Sequence, residues 1–176
     1  MEKKSAFGPS AISGVYLGVA LIVFSLITFL LDFEYDSPIK YISYAILAIG
    51  LYWAIVSYRD KHLGGFISYK GAFTAGFYTA LIASLITGIF TFIYVEYIDT
   101  ALIGQVLEQA ELDMLERSPD MSDEQLDQAL SFTEIFASPI VLSIAGFISN
   151  LVVSIILSLI ISIFAKRENK EVFEQK

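Results

Sequence analysis

Four long stretches without a charged side chain dominate the sequence, with lengths of 27, 18, 25 and 31 residues. A helix of about 20 residues, rising about 1.5 Å per residue, crosses a hydrocarbon layer about 30 Å thick. Helix is expected because unpaired backbone groups are too costly in lipid, and the stretches lack the period-2 alternation of barrel strands. The pattern predicts an all-α polytopic membrane protein with four transmembrane helices, over approximately 11–31, 41–58, 71–95 and 138–165.

The first of these segments also has to be compared with a cleaved signal peptide. Lys3 and Lys4 resemble the basic start of such a peptide. However, a signal core has only about 7–15 apolar residues, whereas this segment stays apolar as far as Leu31. We therefore predict a retained helix that starts after Gly8-Pro9.

Composition supports a membrane protein and excludes several other classes. Of the 176 residues, 56% are apolar and 17% charged, against roughly 45–50% and about 25% in soluble domains. A globule of this size buries only about 70% of its surface, so a freely soluble enzyme is nearly excluded. The net charge of −8 argues against nucleic-acid binding. The absence of Cys excludes disulfides, Cys-ligated metals and thiol nucleophiles.

The basic residues predict the orientation in the membrane. Only Lys40 and Arg117 fall on one predicted side. The other nine of the eleven fall on the opposite side, which the positive-inside rule makes cytoplasmic, together with both termini. These nine are Lys3, Lys4, Arg59, Lys61, Lys70, Lys166, Arg167, Lys170 and Lys176.

The segment before the fourth span has its own pattern. Between Glu96 and Glu134 lie eleven acidic residues and one base. Ser118-Pro119 interrupts the helical pattern, and Ser122 with Gln125 reads as a capping box that starts a second helix. We predict an extracytoplasmic acidic helical hairpin over 98–137. Its apolar stripes are Ile103, Val106, Leu107, Ala110 and Met114, then Leu126, Ala129, Leu130 and Thr133.

The acids of this hairpin have two interpretations. The simpler interpretation is a solvated face that prevents aggregation. The more specific interpretation is a docking surface for a basic protein partner, or an acidic entrance that attracts cations. A dedicated calcium loop is not expected, because the acids are spread along helices without a D-x-D-x-D-G pattern.

Small and polar residues recur every four positions within the spans, where they let helices approach closely. They are Gly14 and Gly18 in the first span, Ala72, Gly76, Ala80, Ser84 and Gly88 in the third, and Gly146, Asn150, Ser154, Ser158 and Ser162 in the fourth. The simpler interpretation is helix packing, with partners expected for the Asn150 amide. The alternative is a polar path along the fourth span. No Asp, Glu, Lys, Arg or His lies in the four stretches, which counts against coupled transport.

Signatures of catalysis are missing from the sequence. It contains no G-x-S-x-G, H-E-x-x-H or G-x-G-x-x-G motif. The one histidine, His62, lies among charged residues at a predicted membrane boundary, as expected for a solvated loop. We therefore expect no catalytic residue, no cofactor and no metal site.

The order of elements resembles that of a known family. The resemblance rests on four segments of the sequence. They are 58–73, which includes Gly65-Phe-Ile-Ser68, then 107–110, 121–126 and the final Ser138-Pro139. Together they resemble a family of bacterial inner-membrane proteins classed as a domain of unknown function (DUF4199). The resemblance implies a four-span protein of the bacterial inner membrane and brings no activity or site residues with it.

The sequence thus favours a non-enzymatic accessory or scaffold component of the membrane, in contact with the lipid bilayer. A small channel or carrier is the alternative. A protein partner at the hairpin and a homo-oligomer both stay open.

Overall fold

A computed structural model describes residues 5–31 and 38–168. In this part of the chain the structure is helical, apart from connections and a single antiparallel bridge between Ile67 and Arg167. The helices are α1 (Phe7–Leu30), α2 (Lys40–His62), α3 (Tyr69–Ile93), α4 (Leu102–Arg117), α5 (Asp123–Phe136) and α6 (Pro139–Ala165), with a π-helical turn at Tyr94–Ile98.

Four of these helices are long and apolar enough to cross a membrane. They are α1, α2, α3 with its π-helical turn, and α6. The prediction of an all-α chain with four spans is therefore confirmed.

The two largest differences from the predicted helix ends lie in α1 and α2. The predicted start after Pro9 is wrong, because α1 begins at Phe7. Proline is tolerated in a first turn, where its missing N–H would have no intrahelical partner anyway. At the other difference, α2 continues past 58 to His62, and its last turn carries Arg59 and Lys61. Cations are favourable there because the C-terminal end of a helix is partly negative.

Some of the residues used for prediction lie outside the described residues. They are Lys3 and Lys4, the connection at 32–37, and Lys170 and Lys176 near the C-terminus.

The chain forms two compact units. Unit 1 comprises Met1–Thr87 and Ile148–Lys176, and unit 2 comprises Gly88–Phe147. One apolar cluster of unit 1 brings together residues of α1, α2 and α3, with Leu157 and other α6 residues packed against it. Its buried members are Leu17, Leu47, Leu51, Ala80 and Ala83.

A second cluster lies near the C-terminal ends of α2 and α6 in unit 1, around Tyr58 and Ala165. There the Arg59 guanidinium donates through Nη1 to the Ala165 carbonyl, at 3.0 Å, and pairs with Asp60 at 2.7 Å. Ile67 and Arg167 exchange two backbone hydrogen bonds, both of 2.8 Å. The α2–α3 connection and the chain after α6 therefore lie at the same end of unit 1.

Unit 2 contains the C-terminal part of the third span, the N-terminal part of the fourth span, and the two helices between them. The predicted capping box is confirmed: the Gln125 N–H donates to Ser122 Oγ at 3.4 Å, and the Ser122 N–H donates to Gln125 Oε1 at 3.2 Å. Helix α4 ends at Arg117, α5 begins at Asp123, and the two helices contact each other.

Candidate functional site

The first candidate is the set of small and polar residues in unit 1, beginning where α1 meets α3. A Cβ added at Gly14 would lie 2.7 Å from the Thr79 carbonyl oxygen and 2.8 Å from the Ile82 Cβ. Four residues later, a Cβ at Gly18 would lie 3.1 Å from Ile86. The two helices run parallel here, and only glycine leaves enough space at Gly14, because the neighbouring atom belongs to the backbone.

Helices α3 and α6 also approach each other closely at a glycine. A Cβ at Gly76 would lie 2.8 Å from Ser158 Oγ and 3.0 Å from Ile55 Cδ1. The surrounding small residues are fully buried, as expected where two helices approach through small side chains. They are Ala72, Ala80 and Ser84 on α3 and Ser154, Ser158 and Ser162 on α6.

Asn150, half-buried on α6, finds a partner on α3. Its side-chain Nδ2 donates to Thr87 Oγ1 at 3.2 Å. The Thr87 hydroxyl itself donates back to the carbonyls of Ala83 and Ser84, each at 3.1 Å. The expected partner for the Asn150 amide is thus present, and it is a threonine outside the predicted row of small and polar residues.

Not every buried hydroxyl of unit 1 is satisfied. Ser162 donates to the Ser158 carbonyl, and Thr79 donates to the carbonyls of Ala75 and Ser10. Four other buried serine hydroxyls have no hydrogen-bond partner, and an unpaired hydroxyl in an apolar interior costs free energy. These four are Ser10, Ser84, Ser154 and Ser158.

Gly88 and Gly146 are the members of the predicted rows that lie in unit 2, and they differ in burial. Gly88 is buried, and a Cβ there would lie 3.1 Å from the Phe147 Cβ. Gly146, in contrast, is exposed, and a Cβ there would meet only Thr91 Oγ1, at 3.8 Å. Gly146 therefore departs from the predicted row, since a side chain at this position would fit.

A second row on α3 was missed from the sequence. Ala75, Thr79 and Ala83 are fully buried at four-residue spacing, one position before the predicted row. This row faces α1, because the carbonyls nearest to Gly14 and Gly18 belong to Thr79 and Ala83. The row can be recognised in the sequence as Ala and Thr repeated at four-residue spacing, which continues to Thr87.

The second candidate lies in unit 2, in the groove between α4 and α5. The groove has a volume of about 630 Å³ and a partly apolar lining that includes Leu107 and Leu130. Four carboxylates and no base contribute to this lining, so the groove has a negative charge. They belong to Glu108 and Glu111 on α4 and to Asp127 and Glu134 on α5.

The carboxylates do not form a metal centre. In residues 5–31 and 38–168, no group of three or more His, Cys, Asp or Glu side chains is arranged to hold a metal ion. The groove instead offers a row of negative charge beside apolar side chains, which is the complement of a basic amphipathic segment.

These features define a polytopic helical membrane protein with an acidic groove between two helices that follow the third span. The family model described as "Protein of unknown function (DUF4199)" matches residues 13–167, and the chain belongs to this family. No curated protein and no solved structure matches the chain.

Proposed function

We propose that this chain is a non-enzymatic accessory or scaffold component of the bacterial inner membrane, and that its acidic groove docks a basic segment of a protein partner. The observation that carries the proposal is the set of four groove carboxylates with no base among them, beside Leu107 and Leu130. A Lys- or Arg-bearing helix would meet both charges and apolar surface there.

The proposed orientation places both termini in the cytoplasm and the hairpin on the opposite side of the membrane. It rests on the positive-inside rule. The shared location of the α2–α3 connection and the chain after α6 supports it, since both carry bases and would have to lie in the same compartment.

The experiment places a photo-crosslinking amino acid at Glu111 or Asp127 in native membranes and identifies the peptide that is captured. We expect one partner, joined through a segment rich in Lys or Arg. The double variant Glu111→Lys/Asp127→Lys, probed from Leu107, should abolish the capture. Capture that is indifferent to these charges, or that yields only lipid and abundant proteins, would contradict the proposal.

A matched control uses acids of the same hairpin outside the groove. Asp113→Lys/Glu116→Lys makes the same change in net charge, but neither residue lines the groove. Capture should survive in this variant. Equal loss in both double variants would mean that bulk charge, rather than the groove, holds the partner.

The second candidate function is a small channel or carrier with a polar path along the fourth span. The unpaired hydroxyls of Ser154 and Ser158 favour it, because water or a passing solute would supply their missing hydrogen bonds. Single Cys substitutions at Asn150, Ser154 and Ser158 in this naturally Cys-free chain test it. Modification of all three by a charged thiol reagent in intact membranes would favour a path, and complete protection would favour packing alone.

A further inference from the structure

The C-terminal half of α5 carries an unpartnered apolar surface. Phe132, Ile135 and Phe136 are 66%, 62% and 67% exposed. Large apolar side chains on a helix that ends next to a membrane span are unfavourable in water, which favours an apolar cover over them.

This surface continues the exposed apolar face of α6. Phe132 and Phe136 are followed at four-residue spacing by Ile140 and Ile144, which are also exposed large apolar residues. Ala137, at the break between the helices, still has right-handed helical dihedrals, and its N–H donates to the Thr133 carbonyl at 2.8 Å. The exposed row therefore passes from the span into α5 with only a short interruption.

The depth of Phe136 agrees with the headgroup layer. Helix α6 has 27 residues, so it is about 40 Å long at about 1.5 Å per residue. The hydrocarbon core is about 30 Å thick and the whole bilayer about 40–45 Å, so a helix of this length centred in the bilayer ends in the headgroup layers. Phe136 comes three residues before Pro139, the first residue of α6, and therefore lies next to such a layer.

The acidic groove uses the opposite face of the same helix. At about 100° per residue, Phe132 and Phe136 lie about 140° and 180° around α5 from Asp127, whereas Ile135 lies at the edge between the two faces, about 80° from Asp127. A helix with an apolar face can rest at a membrane surface with that face among the headgroups and upper acyl chains. Because the charged face of α5 carries acids and no base, its apolar side chains alone would hold it there.

We infer that Phe132, Ile135 and Phe136 anchor α5 in the headgroup region of the bilayer that α6 crosses. The anchor fixes the hairpin against the membrane surface and turns the acidic groove towards water. Its occupant is lipid, and this inference holds whether or not the groove binds a partner.

The single tryptophan of the chain allows a test with small changes. In a Trp53→Phe background, tryptophan is placed at Phe136, at Ile144 as a lipid-facing reference, or at Leu112 as an exposed apolar control on α4. Each purified variant is reconstituted into vesicles of phosphatidylcholine and phosphatidylglycerol. Quenching is measured with lipids brominated near the headgroup and with aqueous iodide.

We expect brominated lipid to quench position 136 several-fold more than position 112, and iodide to show the reverse order. Equal, weak lipid quenching at 136 and 112 would overturn the inference. Protection of position 136 from both quenchers would also overturn it, since protein would then cover the surface. Phe132→Trp repeats the test, and both changes are conservative, because each exchanges one exposed aromatic ring for another.

Discussion

Asn150 of α6 donates a hydrogen bond to Thr87 of α3, with 3.2 Å between Nδ2 and Oγ1. This pair links the third and fourth spans through the one side-chain amide of the predicted small and polar row. Interhelical hydrogen bonds in membranes are worth about 0.6 kcal/mol on average and up to about 1.7 kcal/mol. The pair is therefore a modest but specific connection within unit 1.

A double-mutant cycle on this pair gives the first prediction. Asn150→Leu and Thr87→Val should each lower the free energy of unfolding, and the coupling between them should be about 0.5–1.5 kcal/mol. The measurement is reversible unfolding in mixed micelles. A coupling indistinguishable from zero would show that the hydrogen bond does not stabilise the helix contact.

The second prediction concerns the closest backbone approach in α1. Gly14→Ala should destabilise the protein by about 1–3 kcal/mol, because its Cβ would press on the Thr79 carbonyl and force the helices apart. Gly8→Ala is the matched control, since nothing lies within 4 Å of a Cβ there. It should leave stability unchanged or raise it by up to about 1 kcal/mol. Equal effects of the two changes in the same unfolding assay would contradict the close approach.

The third prediction separates packing from a polar path at Ser158. Gly76→Ala should destabilise the contact between α3 and α6, and Ser158→Gly in the same chain should restore much of the loss by removing the nearest atoms. Ser158→Ala alone should be neutral or slightly stabilising, because the hydroxyl it removes has no partner. A marked loss of stability in Ser158→Ala would mean that this hydroxyl is bonded in the membrane.

The four spans could be predicted from the sequence, because apolar stretches of this length without charges are typical of membrane-spanning helices. The sequence also predicted the α5 start, because Ser122 and Gln125 are local in the chain and need no tertiary information. The ends of α1 and α2 were predicted less well. A proline or a base at a helix end is compatible both with the helix and with the connection beside it.

Which members of a small-residue row lie at a close contact could not be predicted. Gly76 and Gly146 have the same sequence pattern, yet only Gly76 faces a neighbour too closely for a side chain. The outcome depends on where the helices cross, which is a tertiary property. The aromatic surface at Phe132 and Phe136 lies outside the apolar stripe predicted for α5, and its exposure was likewise not predicted.

The proposed orientation, which rests on the positive-inside rule, requires Glu111 and Lys61 to face opposite sides of the membrane. Single cysteines at Glu111 and at Lys61, in the naturally Cys-free chain, test it most directly with a membrane-impermeant maleimide on intact spheroplasts. We expect labelling of position 111 in intact spheroplasts and of position 61 only after the membrane is permeabilised. Labelling of both positions from the same side would contradict it.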